Sequence, residues 1–247
     1  MVAFNIKLCD FMRRVALICA YNEEKNVVRI VKETKKEVER VIVVDDGSRD
    51  KTYDKLKKLK GKNVTVISYQ PNRGKGYATK VGLDEFLRGS GDVLITLDAD
   101  GQHDPTQIKS LSELVESGTS DVVIGSRYSR KGVDKFPPIR VFFNIVVNMV
   151  VLLVTGQFFA DVSSGYRAYS RDVIKSVGRK LDVVDFGIEP EILRICVDNN
   201  CRIATVPVSC SYETGRKPNF VKLARGYMNF AFKYKGEIIR RLLKVGR

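Results

Sequence analysis

Two aspartates one residue apart, Asp98 and Asp100, close an apolar run in the stretch VLITLDADGQHDP, in a chain whose formal net charge is +14. If a strand ends there, both carboxylates can turn toward one point. Two unpaired carboxylates about 5 Å apart repel by roughly 3 kcal/mol at an effective dielectric of 20. A divalent cation relieves that repulsion. All-oxygen ligands suit Mg2+ or Mn2+, which complete their shells with water and substrate phosphates. The pair therefore reads as a metal-bridged diphosphate site, against the alternative of a solvated turn. Its place behind a buried strand, with a second acidic strand end VDDGS upstream, favours the site. His103, the single histidine, is followed two positions later by Pro105. It is expected to organise the turn and the helix start rather than to bind metal.

Such a pair must be held by a scaffold, and the chain shows one. VALICA (15–20), VIVV (41–44), VTVIS (64–68), VLITL (93–97) and DVVIGS (121–126) are β-branched runs. Segments with helical spacing alternate with them, such as NEEKNVVRIVKETKKEV, which Asn22 is expected to cap, and DDGSRDKTYDKLKKL, with Ser48 as its cap. Continuous apolar strands separated by helices predict a mostly parallel sheet covered on both faces. In such sheets the ligand crevice lies beyond the carboxyl ends of the strands. The polar strand ends AYNEE, DDGS, NRGKG and DADGQHD should then converge on one rim. NRGKG lacks the G-x-x-x-x-G-K-[ST] spacing of a phosphate loop, although Lys75 adds positive potential. Beyond about Lys131 the pattern is less regular. It holds an apolar helix near 141–154, the loop DVSSGYRAYSRD, a helix around EPEILRICVDNN, the strand IATVPVSCSY and a basic tail.

Composition bounds the rest. With 247 residues, 44% of them hydrophobic, the chain can build one sizeable core. The 43 Lys and Arg against 29 Asp and Glu favour an anionic partner. Nucleic acid is one such partner, but no basic stripe with stacking aromatics supports it. Five cysteines, Cys9, Cys19, Cys196, Cys201 and Cys210, include no C-x-x-C pair and read as reduced thiols of a cytosolic protein. The N-terminus lacks the pattern of a secretory signal. The apolar run VFFNIVVNMVVLLV is shorter than the roughly 20 residues a membrane span needs, and Asn144 and Asn148 interrupt it.

Taken together, YNEE, VIVVDDGSRDKT, NRGKGYA, LDADGQHDP and SGYRAYSRD resemble the motifs of glycosyltransferase family 2, in its branch of dolichyl-phosphate or polyprenyl-phosphate mannose and glucose synthases. The resemblance covers about residues 15–212. It implies an α/β GT-A nucleotide-diphospho-sugar transferase fold over 1–219, including an interfacial helix at about 139–155, and a basic amphipathic tail over 220–247. It implies an inverting transfer of a hexose from GDP-mannose or UDP-glucose to a polyprenyl phosphate, with Mg2+ or Mn2+, by a protein peripheral to the cytoplasmic membrane face.

Carried over by position, Tyr21, Glu23, Val44 and Asp46 would line the nucleoside, with Asp45 supporting. Asp98 and Ala99 would contact the nucleotide, and Asp100, Asp98 and Gln102 would form the metal group. Asp100, Arg127 and Arg140 would act in catalysis, the two arginines on the diphosphate and the acceptor phosphate, with Arg167 a further candidate. Gly74 and Gly76 would allow close backbone approach beneath the donor. The chain departs from the pattern at YETGRKPNF, where Arg216 and Lys217 are expected to supply the diphosphate-binding charge. A sugar hydroxyl or another lipid is the alternative acceptor. The apolar helix and the tail FVKLARGYMNFAFKYKGEIIRRLLK mix apolar and cationic residues as interfacial helices do, with ordinary core packing as the competing reading.

Overall fold

The structure, a computed structural model, describes residues 12–128, 138–181, 187–211 and 220–245. Seven strands form one sheet in the order β3-β2-β1-β4-β6-β5-β7. Strands β1 (Arg14–Ala20), β2 (Arg40–Asp45), β3 (Val64–Ser68) and β4 (Val93–Asp98) run parallel. Their register sets Ala20 opposite Asp45, Asp45 opposite Ser68, and Cys19 opposite Asp98, so the polar ends finish level with one another. On the far side β5 (Val122–Ser126) pairs in parallel with β7 (Ile203–Pro207). Between β4 and β5 lies β6 (Arg167–Ser170), antiparallel to both.

Strand β6 corrects the expectation of a loop over DVSSGYRAYSRD. An arginine opening a four-residue strand looks like a surface residue. Here Arg167 is 1% exposed and gives its donors to the carbonyls of Ser164, Glu189 and Val162. Those bonds offset the cost of burying its charge. They also remove Arg167 from the candidates for phosphate binding.

Alternation along the strands divides the core. Ala16, Ile18 and Ala20 of β1 face a cluster completed by α1 (Val27–Thr34), α2 (Thr52–Lys57) and α4 (Ile108–Glu116). Val15 and Leu17 face the opposite layer, built from α3 (Lys75–Arg88), α6 (Arg171–Lys180) and α7 (Ile188–Asp198). Each fully buried branched side chain contributes about 1.5–3 kcal/mol relative to exposure, which fixes the register against slippage. A third cluster joins Ile124 and Leu193 to Val147, Val151 and Val154 of α5 (Pro138–Thr155) and to Tyr227 and Phe230 of α8 (Phe220–Lys233). Helix α9 (Lys235–Val245) packs against α5.

A buried carboxylate ties these last helices to the sheet layers. Glu191 of α7 is 2% exposed, and its Oε1 accepts from Lys233 Nζ at 2.7 Å and the Tyr234 hydroxyl at 2.9 Å. The other side of α5 carries exposed Phe142, Ile145 and Met149, while α9 exposes Ile239, Leu242 and Leu243. Among the described residues no helix is long and apolar enough to cross a membrane.

Candidate active site

The first two strand ends are laced together through their backbones. Asn22 donates its N–H to Ser48 Oγ at 2.9 Å, Glu23 donates to Thr52 Oγ at 2.8 Å, and Arg49 donates back to Asn22 Oδ1 at 2.8 Å. Neither Asn22 nor Ser48 is therefore the helix cap expected. Helix α1 starts five residues after Asn22, with Asn26 at its N-cap, and α2 has Lys51 at that position. Asn22 instead adopts a left-handed φ of 55°, which asparagine tolerates through its own short polar side chain. Tyr21 and Glu23 are left half-buried at the cleft edge.

Two aspartates follow β2, with separate duties. Asp45 is fully buried, and its Oδ2 accepts from Ser68 Oγ at 2.8 Å. Asp46 accepts from the Tyr69 hydroxyl, Asn72 Nδ2 and the N–H groups of Arg73 and Gly74, at 2.7–3.0 Å. These four donors fill the acceptor positions of one carboxylate. Asp46 thus holds the 69–74 turn, which contains the cis peptide Gln70–Pro71. Gly47 completes the contact: its φ is +67°, and a Cβ there would lie 2.5 Å from the Asn72 nitrogen. Only glycine accommodates both demands. Val44 is buried in the core, so it can meet a ligand only through its backbone.

The turn after β4 carries the central pair. Ala99 is buried with Leu97, whereas Asp98 and Asp100 alternate toward the cleft. Gln102 donates its N–H to Asp100 Oδ1 at 3.0 Å. His103 is 4% exposed, stacks on Tyr166 at 4.9 Å and accepts the Asp98 N–H on Nδ1 at 3.4 Å. Burial pushes its pKa down to about 4, so it is neutral at pH 7. His103 therefore organises the turn, as expected. Backbone pairing with Cys210 and the Ser211 N–H bond to the Gln102 carbonyl brace the turn from outside.

The electrostatics separate the two carboxylates. Asp98 Oδ1 lies 2.8 Å from Lys75 Nζ, which also lies 2.7 Å from Glu189 Oε1. Burial would raise the Asp98 pKa, but the Lys75 ammonium outweighs burial and holds it at about 2. Lys75 in turn is kept well above its usual value, since Asp98 and Glu189 outweigh the opposing effect of burial. Asp100 goes the other way. Burial, reinforced by the Asp98 charge, pushes it up to about 6. Behind the pair is a cavity of about 30 Å3 bordered by Cys19, Lys75, Thr79, Gly165 and Glu189, enough for about one water.

The opposite rim is fixed by an ion pair. Arg127, just after β5, donates through Nε and Nη2 to the two carboxylate oxygens of Asp161 at 2.9 Å, and its Nη2 reaches Ser163 Oγ at 2.7 Å. Asp161 has no exposed surface. Burial would raise its pKa, but Arg127 outweighs that and lowers it. Asn144 and Asn148, one turn apart on α5, both donate to the Ala160 carbonyl, at 3.3 and 3.2 Å. Next to this bend, Tyr128, Asn144, Asn148, Met149, Phe158 and Ala160 line a largely apolar groove of about 270 Å3.

The structure thus brings Tyr21, Glu23, Asp46, Asp98, Asp100 and Gln102 to neighbouring strand ends. Arg140 stands on α5 with its side chain outside the described residues, as are Arg216 and Lys217. Three polar residues carry more of the site than their sequence signals suggest. Lys75 is more than a source of potential. Glu189 looked like one acid in a helical segment. Asp161 opened a stretch read as a loop. Only long-range pairing distinguishes them, and no spacing rule reports that.

Comparison with known proteins agrees with this geometry. The model of Glycosyl transferase family 2 matches residues 15–178. A UDP-N-acetylglucosamine–dolichyl-phosphate N-acetylglucosaminyltransferase of Methanococcus voltae is 30% identical over 212 residues, 79% of this chain and 84% of that one. Polyprenol monophosphomannose synthase of Mycolicibacterium smegmatis is 31% identical, over 80% of this chain and 77% of its own. Among solved structures, glucosyl-3-phosphoglycerate synthase of Mycobacterium tuberculosis, in complex with Mn2+, UDP and phosphoglyceric acid, superposes with a TM-score of 0.68 at 20% identity, covering 95% of this chain and 78% of that one. The mixed seven-stranded sheet is accordingly the GT-A fold that the motifs implied, and the chain belongs to glycosyltransferase family 2.

Proposed function

We propose that this glycosyltransferase moves a sugar from a nucleoside diphosphate donor to a polyprenyl or dolichyl phosphate at a membrane surface, with inversion at the anomeric carbon. The observation that carries the reading is a polar strand-end cleft, in which Asp100 pairs with no cation among the described residues, beside an apolar groove. Tyr128 and Ala160, which line the groove, are the sequence neighbours of Arg127 and Asp161. Relatives named for dolichyl-phosphate and polyprenol acceptors, similar over four fifths of this chain, support it.

The residues fit a divalent cation. Among the described residues, Asp100 accepts the Gln102 N–H and pairs with no ammonium or guanidinium, and burial, with the neighbouring Asp98 charge, raises its pKa. No three His, Cys, Asp or Glu side chains among them converge on one point. Asp100 would hold the ion, with Gln102 beside it and donor phosphate and water completing the shell, as Mg2+ and Mn2+ prefer. The ion would neutralise the departing diphosphate. Mn2+ and UDP in the M. tuberculosis structure agree with this choice. Tyr21, Glu23 and the backbone of Val44 would border the nucleoside, with Asp46 holding the turn beside it.

No general base is needed for a phosphate acceptor. A phosphomonoester with a second pKa near ~6 is mostly dianionic at pH 7, so it attacks without losing a proton. A sugar hydroxyl must lose one. The difficulty becomes bringing two anions together, and Arg140, Arg216 and Lys217 would supply the positive charge. Arg127, paired with Asp161, would shape the rim. The groove would take the first prenyl units, and the exposed apolar residues of α5 and α9, with Arg240 and Arg241 interleaved, would rest in the bilayer interface.

A donor screen with a short polyprenyl phosphate tests the reading, using UDP-N-acetylglucosamine, UDP-glucose and GDP-mannose, and scoring lipid-linked sugar and released nucleotide. One donor should give a metal-dependent glycolipid. Equal use of a polyprenol lacking phosphate would defeat the proposed acceptor. Full activity in excess chelator would defeat the metal.

A further inference from the structure

Lys75 stands where three elements meet. It opens α3, Asp98 ends β4 and Glu189 lies in the first turn of α7. Its ammonium touches both acids, at 2.8 and 2.7 Å. Gly165 closes the space behind: a Cβ there would sit 2.7 Å from Asp98 Oδ2 and 3.1 Å from Lys75 Nζ. Asp98 is therefore neutralised on one oxygen and walled by backbone near the other. Asp100, two residues on, has a backbone amide and no such cation among the described residues.

From this asymmetry we infer that Lys75 is a positioning residue serving as a resident counter-cation. It reserves Asp98 for the organic part of the donor, keeps that carboxylate out of the metal shell, and leaves Asp100 as the one member of the pair that takes the ion. The inference rests on the metal-dependent reading of the site given above. A doubly charged ion bound to Asp98 would stand beside the ammonium, and like charges at that range repel strongly. Glu189 completes the arrangement by fixing the lysine from α7, so that the charge is held in place rather than swinging into the cleft.

Binding of Mn2+ to the full chain, followed by electron paramagnetic resonance with and without UDP or GDP, tests this without relying on turnover. Asp100→Asn should weaken Mn2+ roughly tenfold or more, and Asp98→Asn by less than about threefold. Lys75→Met, which keeps the stem and removes the charge, should tighten Mn2+ roughly fivefold to tenfold, because Asp98 becomes available. Adding Asp98→Asn to Lys75→Met should cancel that gain, and Lys75→Arg should stay near the unmodified chain. In transfer assays Lys75→Met should lower kcat more than it changes the donor KM, with Lys75→Arg recovering part of the loss. Equal losses for Asp98→Asn and Asp100→Asn overturn the inference, as does a folded Lys75→Met variant with unchanged or weaker Mn2+ binding. Should Lys75→Met fail to fold, the two aspartate variants decide alone. Mn2+ bound to the unmodified chain yet indifferent to these changes defeats the inference only. No Mn2+ binding in either condition defeats the metal reading and the inference with it.

Discussion

Residues 20–103 reach the cleft from strand ends that run in register, whereas residues 126–163 reach it from a bend held by a buried ion pair. On the first rim the positions of Asp45 and Asp98 follow from ladder pairing with Ala20 and Cys19. On the second, Arg127 and Asp161 lie 34 residues apart and hold each other through two charge-assisted bonds. Ladders distribute stability over many weak contacts. A buried pair concentrates it in one. The first rim should therefore tolerate loss of a site carboxylate, and the second should not tolerate loss of a site cation.

The sharpest way to break this contrast is Arg127→Met. It leaves the buried Asp161 without its countercharge, with only the residue-127 N–H and the Ser163 hydroxyl still donating to it, and should cost about 3–5 kcal/mol of unfolding free energy, read by urea denaturation. A loss below about 1 kcal/mol would mean that the second rim is held by packing alone. Asp100→Asn should act oppositely, leaving the melting temperature unchanged or slightly raised, because it removes one of two crowded carboxylates. Metal-dependent transfer should fall by about 100-fold, roughly 2.7 kcal/mol of transition-state free energy. Retained activity would break the metal assignment, and a collapse of the melting temperature would erase the contrast between the rims.

Acid sharpens the comparison within the first rim. Burial holds His103 at about 4, below its usual value of ~6.5, so the folded state binds fewer protons than the unfolded one between those values. The neutral ring's contribution is fully present above about pH 6.5 and is lost as pH falls toward 4. At pH 5 that amounts to about 2 kcal/mol relative to pH 7. His103→Gln should remove this part of the acid sensitivity in denaturation curves at the two pH values. Identical curves for both proteins would show that the turn does not depend on a neutral ring. The smallest effect belongs to the outer faces. Phe142→Ser or Leu243→Ser should weaken binding to anionic liposomes severalfold, by about 1 kcal/mol each, without changing the melting temperature. Unchanged liposome binding would assign these faces to another partner.

The same contrast explains which parts of the fold and site are legible in the sequence. Strands β1 to β5 are legible because a buried parallel strand must be a continuous apolar run, and VTVIS spans β3 from Val64 to Ser68. The Asp98–Asp100 pair was legible because alternation requires both to leave a strand on one side. Strand β6 was not, since Arg167 becomes a core residue only through carbonyls contributed by Val162, Ser164 and Glu189. Asn22 looked like a cap by type and position. Its use by Arg49, 27 residues away, is a tertiary choice that local preference cannot foresee. For the same reason the ties of Lys75 to Asp98 and Glu189 could not be read from the motif that contains it.

The Glu191 anchorage has a consequence for how the molecule is made. A chain is synthesised from its N-terminus at about 5–20 residues per second, and Lys233 follows Glu191 by 42 residues. For some seconds the sheet and α7 can assemble while this carboxylate has neither Lys233 nor Tyr234 to receive it. In that interval it must stay hydrated or take up a proton, so the layer around α7 cannot close fully. Maturation of the cleft, whose Glu189 lies on the same helix, thus waits for a segment made well after the cleft's own residues, and a nascent chain halted short of Lys233 would carry the whole turn from Asp98 to His103 without a settled α7.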